Sequence, residues 1–86
     1  MAFSYDGFKE KLDQQHKWPE MYLFKFIVPK DNEVKIQKLF PDSELKSKKS
    51  KSGKYISVTA KIMAASSDEV IGIYKKAEEI EGLIAL

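Results

Sequence analysis

GKYISVTAKIMA, residues 53–64, is the stretch that decides the fold. Ile56, Val58, Ala60, Ile62 and Ala64 fall on one side of an extended chain. Tyr55, Ser57, Thr59, Lys61 and Met63 fall on the other. Alternation of period two over that length predicts a long central β-strand with one face turned to a core. Helices must cover the apolar face, and the mixed face is free to stay open.

Strand signals lie on both sides of this stretch. Upstream, Met21 to Val28 reads MYLFKFIV, rich in aromatic and β-branched residues. Tyr22, Phe24, Phe26 and Val28 share one face; Met21, Leu23, Lys25 and Ile27 share the other. Only Lys25 interrupts the apolar character, which predicts a second central strand. Glu44 to Ser50 reads as a weaker edge strand, joined through Lys51-Ser52-Gly53 to the central one. Leu83 to Leu86 predicts a short apolar strand.

Helical patterns fill the intervals. Residues 4–15 place Tyr5, Phe8 and Leu12 on one stripe, with Ser4 as the expected cap, and Trp18-Pro19 closes the segment. That helix either packs its aromatics on the domain or serves as a detachable arm. Asp31 or Asn32 is expected to cap a short helix to about Phe40, burying Ile36, Leu39 and Phe40 with Val34 near its edge, and Pro41-Asp42 stops it. In the last helix Ser67 is the expected cap, and Val70, Ile73, Tyr74, Ala77 and Ile80 form the buried stripe. Gly82 is placed to end it, which would set Glu78, Glu79 and Glu81 against the negative end of the helix dipole.

The order after the first helix is β-α-β-β-α-β, the pattern of the split βαβ sandwich. The expected fold class is therefore α+β: a ferredoxin-like sandwich of a four-stranded antiparallel sheet with two helices on one face, plus an extra N-terminal helix. The corresponding division is a helical extension over residues 1–17 and a sandwich domain over 18–86.

Composition narrows the chemistry. At 86 residues the chain makes one domain with one modest core. No run approaches the length of a membrane span, and the N-terminus lacks the apolar centre of a signal peptide, so a cytoplasmic location is expected. Cysteine is absent, which removes disulfides, thiolate metal sites and cysteine nucleophiles. All fifteen cationic side chains are lysines, so the bidentate phosphate grip of arginine is missing. His16, the single histidine, suits a cap or surface role. No acid–base pair or activated nucleophile stands out, so neither catalysis nor a metal or cofactor is expected.

Trp18-Pro19 before a strand with Lys25 in its middle, the run Ser50-Lys51-Ser52-Gly53-Lys54-Tyr55-Ile56-Ser57-Val58-Thr59, and a serine-capped helix with Val70 and Ile73-Tyr74 make a further pattern. It resembles the YbeD-like family of small uncharacterised bacterial proteins over roughly residues 18–86, most specifically over 50–76. The resemblance implies a ferredoxin-like domain similar to the ACT regulatory domains, which bind amino acids beside metabolic enzymes, and it brings no catalytic motif. Two departures stand out. The segment between Lys25 and Ser43 is short, so the helix within it is expected to be truncated. The turn after the first strand is Val28-Pro29-Lys30-Asp31, where ACT domains usually have glycine, and Pro29 has no N–H to offer a ligand.

The expected function is a non-catalytic regulatory or protein-interaction module. Lys25, Pro29, Lys30, Asp31, Asn32, Glu33 and Tyr55 are its candidate contacts for a small metabolite or a protein partner. Met21, Leu23, Ile27, Tyr55 and Met63 would form an apolar patch, covered by Phe3, Tyr5, Phe8 and Leu12 or open to a partner, including a homodimer through the sheet. Lys46, Lys48, Lys49, Lys51 and Lys54 form a basic cluster that discourages edge pairing or attracts an acidic partner. Nucleic-acid binding through this cluster and the open sheet is the alternative. It is the weaker one, because a single aromatic does not make a stacking platform.

Overall fold

The computed structural model describes residues 5–41 and 43–86. The expected cap Ser4, the covering residue Phe3 and the helix stop at Asp42 lie outside them. Strands β1 (Glu20–Pro29), β2 (Leu45–Lys49), β3 (Tyr55–Ala64) and β4 (Ile84–Ala85) form one sheet in the order β2-β3-β1-β4. All three pairings are antiparallel. The helices are α1 (Asp6–Gln15), α2 (Glu33–Leu39) and α3 (Ser67–Ala77), with a 3-10 turn at Lys30–Asn32 leading into α2. The molecule is thus α+β, with a four-stranded antiparallel sheet and three helices.

The ladder between β1 and β3 pairs ten residues on each strand, from Glu20 opposite Ala64 to Pro29 opposite Tyr55. Its register places Phe24 against Ala60 and Phe26 against Val58, so large and small side chains alternate across the core face. Phe24, Phe26, Val28, Ala60 and Ala64 are fully buried there, joined by Ile36 of α2 and Val70 of α3. The Phe24 ring lies 4.9 Å from Tyr22, 5.1 Å from Tyr74 and 5.3 Å from Phe40, centre to centre. Burial of these rings is the largest favourable contribution the core makes.

Helix α1 packs on the same side as the other helices. Phe8 meets Tyr74 edge-on at 5.5 Å, Leu12 is 3% exposed within the core, and Lys9 Nζ donates to Ser67 Oγ and Asp68 Oδ1 at 3.0 Å each. This contact also explains why Ile71, outside the expected stripe, is buried: it lies on the same flank of α3 as Ser67 and Tyr74. Hydrogen bonds from Ser67 and then Trp18 hold the Asp13 carboxyl below its ordinary range. Helix α1 ends at His16, whose amide donates to the Leu12 carbonyl. Its ring stacks on Trp18 at 5.0 Å and bonds the Glu20 carboxylate through Nδ1, and the Trp18-Pro19 bond is cis.

Three helix boundaries correct the sequence reading. Ser66, not Ser67, caps α3: its Oγ accepts from the Glu69 amide, while the Glu69 carboxylate accepts from the Ala65 amide. This reciprocal arrangement frees the Ser67 hydroxyl to turn inward, 1% exposed, and accept from Lys9. Asn32 stands at the start of α2 without capping it, since its side-chain amide donates instead to the Glu81 carbonyl at 2.8 Å. Helix α3 stops at Ala77, and the chain continues through tight turns in which Ile80 bonds back to Ala77 and Leu83 to Ile80. Lys75 and Lys76 therefore occupy the last turn, and Glu78, Glu79 and Glu81 follow the helix. Gly82 closes the turns at φ +79°, not the helix itself, and its backbone is set so close to Pro29 that a Cβ would come within 2.7 Å of that ring.

Candidate functional site

The side of the sheet away from the helices is the candidate site. Strand alternation places Met21, Leu23, Lys25 and Ile27 of β1 on this face, opposite Met63, Lys61, Thr59 and Ser57 of β3. Tyr55 lies at the end of the same row. Lys46 and Lys48 of β2 pair with Thr59 and Ser57 and join them, and Ile84 of β4 pairs with Ile27. Leu86 follows on the same side, its amide donating to the Lys25 carbonyl at 2.9 Å.

Exposure on this face is high for apolar groups: Leu23 57%, Met63 59%, Ile84 55% and Leu86 64%. Met21 and Tyr55 are also exposed. The helix that the sequence left as a candidate cover packs its described residues on the opposite side. Four lysines, Lys25, Lys46, Lys48 and Lys61, share the face, and none of its described strand positions is Asp or Glu. Of the other described residues, most acids fall on the helices and turns, Glu20 lies on the core side of β1, and Glu44, just before β2, borders a hollow with Lys61 and Met63. The described strand positions of the open face are thus charged by lysine alone, although the net charge is only +2. At one end lies a hollow of about 340 Å³, floored by Ile27, Tyr55 and Ser57 and bordered by Lys48, Lys49 and Lys51.

The expected contact residues divide between two places. Lys25 is central on the open face, while Pro29 to Glu33 form the turn at the sheet's end; of these, Pro29 is the register partner of Tyr55. The turn is occupied by the chain's own contacts. The Lys30 amide donates to the Lys54 carbonyl at 3.0 Å, Asn32 is tied to Glu81, and Pro29 packs on Gly82. The basic cluster divides too, with Lys46 and Lys48 on the open face and Lys51 and Lys54 in the β2–β3 turn. Sequence reasoning missed Ile84 and Leu86. Their strand is too short for its alternation to show a face until the pairing with β1 fixes it.

A second hollow of about 350 Å³ lies among Tyr5, Phe8, Tyr22, Tyr74 and Glu78. Leu83, Ala85 and Leu86 also line it, and its tyrosines are engaged within the fold. Tyr22 and Tyr74 share a hydrogen bond of 3.2 Å, and Lys75 Nζ sits 5.4 Å from the centre of the Tyr5 ring. Burial first, then the bond to Tyr22, raises the Tyr74 hydroxyl well above the ordinary tyrosine range. Burial and Glu78 push Tyr5 up to about 12. Among the described residues no group of three or more His, Cys, Asp or Glu is placed to hold a metal ion. No helix among them is long and apolar enough to cross a membrane.

A family model described as a protein of unknown function, DUF493, matches residues 13–86. This is the YbeD-like family that the chain resembles. No curated protein matches the chain. No solved structure matches it.

Proposed function

Because this chain belongs to the DUF493 family of proteins of unknown function, whose description supplies no reaction, we propose that it is a non-catalytic interaction module that docks a protein partner across its open sheet face. The observation that carries this reading is the exposure of Leu23, Met63, Ile84 and Leu86 on one face. Contiguous apolar surface of this kind marks interaction sites in soluble domains. The β-α-β-β-α-β order with strands arranged β2-β3-β1-β4 supports a ferredoxin-like, ACT-like regulatory architecture, and a cytoplasmic location suits such a module. A metabolite held by backbone amides of the Pro29–Glu33 turn has less support. Pro29 has no N–H, and the Lys30 amide already has an acceptor. Nucleic acid is the second reading, favoured by the four lysines on the face.

The test is methyl NMR of protein labelled at methionine. In a lysate of the source organism the Met21 and Met63 resonances should broaden relative to buffer, and Leu23→Asp should restore them. Identical line widths and shifts in lysate and buffer would overturn the proposal.

A further inference from the structure

We propose that the occupant of the open face is an acidic amphipathic helix contributed by a protein partner; this rests on reading the face as an interaction surface. The argument comes from how the face is divided. On the β4 and β1 side lie Ile84, Leu86, Met21, Leu23 and Ile27. On the β3 and β2 side lie Ser57, Thr59, Lys61, Lys46 and Lys48, with the apolar Tyr55 and Met63 at the two ends of the β3 row. Lys25 interrupts the aliphatic row of β1 between Leu23 and Ile27, opposite Thr59, and would meet a carboxylate of the partner. Across its middle the face is therefore amphipathic, with mostly aliphatic β4 and β1 positions beside lysine and hydroxyl positions of β3 and β2. Met63 and Tyr55 extend the apolar surface at the two ends.

Dimensions fit one helix. Two neighbouring strands present a band about 10 Å wide, comparable with the diameter of a helix. From Met21 to Ile27 the aliphatic band runs about 20 Å, close to four helical turns. A helix along β1 would set an apolar stripe on Leu23, Ile27 and Ile84. Its acidic flank would then reach Lys46, Lys48 and Lys61. The hollow floored by Ile27 and Tyr55 would take one bulky apolar side chain, with carboxylates beside the lysines at its border.

The alternatives fit less well. Single-stranded nucleic acid needs ring faces for its bases, and on this face Tyr55 is the one aromatic among the described strand residues. A second copy stacked squarely on the face would set lysines either on lysines or on aliphatic groups. Both arrangements are unfavourable.

The experiment uses the full chain and three fluorescent probes read by anisotropy. Two are synthetic helix-forming peptides with the same leucine stripe, one flanked by glutamate and the other by lysine. The third is oligo-dT. The glutamate peptide should bind with micromolar affinity that weakens as salt rises. The lysine peptide should bind at least tenfold more weakly, by roughly the worth of a few surface charge pairs. Leu23→Asp should abolish binding. The combined change of Lys46, Lys48 and Lys61 to Gln should weaken it about tenfold while leaving the urea midpoint unchanged. Equal binding of both peptides, no binding at millimolar glutamate peptide, or tighter binding of oligo-dT would overturn the inference. So would a sedimenting dimer that Leu23→Asp dissociates. If these results came with methionine broadening in lysate, only the helical occupant would be rejected; without that broadening, the interaction face would be rejected as well.

Discussion

Phe24 shows how much of this molecule depends on single side chains. It is fully buried and in ring contact with Tyr22, Phe26, Phe40 and Tyr74. Truncation to alanine should cost about 3–5 kcal/mol, a large share of the stability of a small domain. A urea midpoint that barely moves would contradict the packing described. Two glycines make a sharper pair. Gly82 has φ +79° and no room beside Pro29, so Gly82→Ala should destabilise by at least about 1–2 kcal/mol. Gly72 lies in α3 with nothing within 4 Å of a would-be Cβ. Gly72→Ala should therefore stabilise by about 0.5–1 kcal/mol. Opposite signs in thermal melts would confirm both environments. The tyrosines set an alkaline limit. Tyr5 and Tyr74 hold their protons more tightly folded than unfolded, so the stability they contribute is complete below about pH 10. It falls as pH rises through about 12, where Tyr5 ionises in the folded state. Tyr74→Phe should flatten that alkaline decline in a series of melting temperatures.

At the scale of elements, the strands were far more legible in the sequence than the helix ends. The long alternation of residues 55–64 and the apolar run of 21–28 leave one pairing that buries both inner faces, and the structure has it. Caps depend on which of several adjacent polar residues wins a local competition. Ser66 and Ser67 carry the same hydroxyl, and Lys9, distant in sequence, decides that Ser67 turns inward. Asn32 was likewise drawn off by Glu81, a partner that only the folded chain brings near. Ser66→Ala should therefore cost about 1 kcal/mol as the loss of a cap. Leu12→Ala addresses α1 as a whole. If the helix belongs to the core, the change costs about 2–5 kcal/mol in a single cooperative transition. A detachable arm would leave the urea transition of the sheet where it was. The open face was legible in β1 and β3 and illegible in β4, whose two paired residues have no periodicity to read.

For the whole molecule the organising fact is that one face is charged by a single sign while the rest of the surface carries both. Among the described strand residues the open sheet face has four lysines and no acid, whereas the helices hold lysines such as Lys38 and Lys76 together with their carboxylates. Net charge alone conceals this, since +2 suggests no strong preference for any partner. Ion exchange can expose it. Lys46→Glu with Lys61→Glu should elute from a cation exchanger at clearly lower salt than Lys38→Glu with Lys76→Glu, although both variants have the same formal charge. Coincident elution would mean that the resin does not sense a charged face.

The ten-residue ladder between β1 and β3 also sets how the chain must fold. Its nearest pair, Pro29 and Tyr55, is separated by residues 30–54, so the ladder cannot zip up from a tight turn. Closing that loop costs entropy before any rung repays it. The β2–β3 hairpin closes locally, but β2 and the turn are mostly lysine and serine and give the apolar side chains of β3 little to bury against. The slow step is then expected to be the meeting of the two longest strands, with a nucleus around Phe24, Phe26, Val58 and Ala60. Changes at those positions would slow refolding, whereas changes in the hairpin would chiefly speed unfolding.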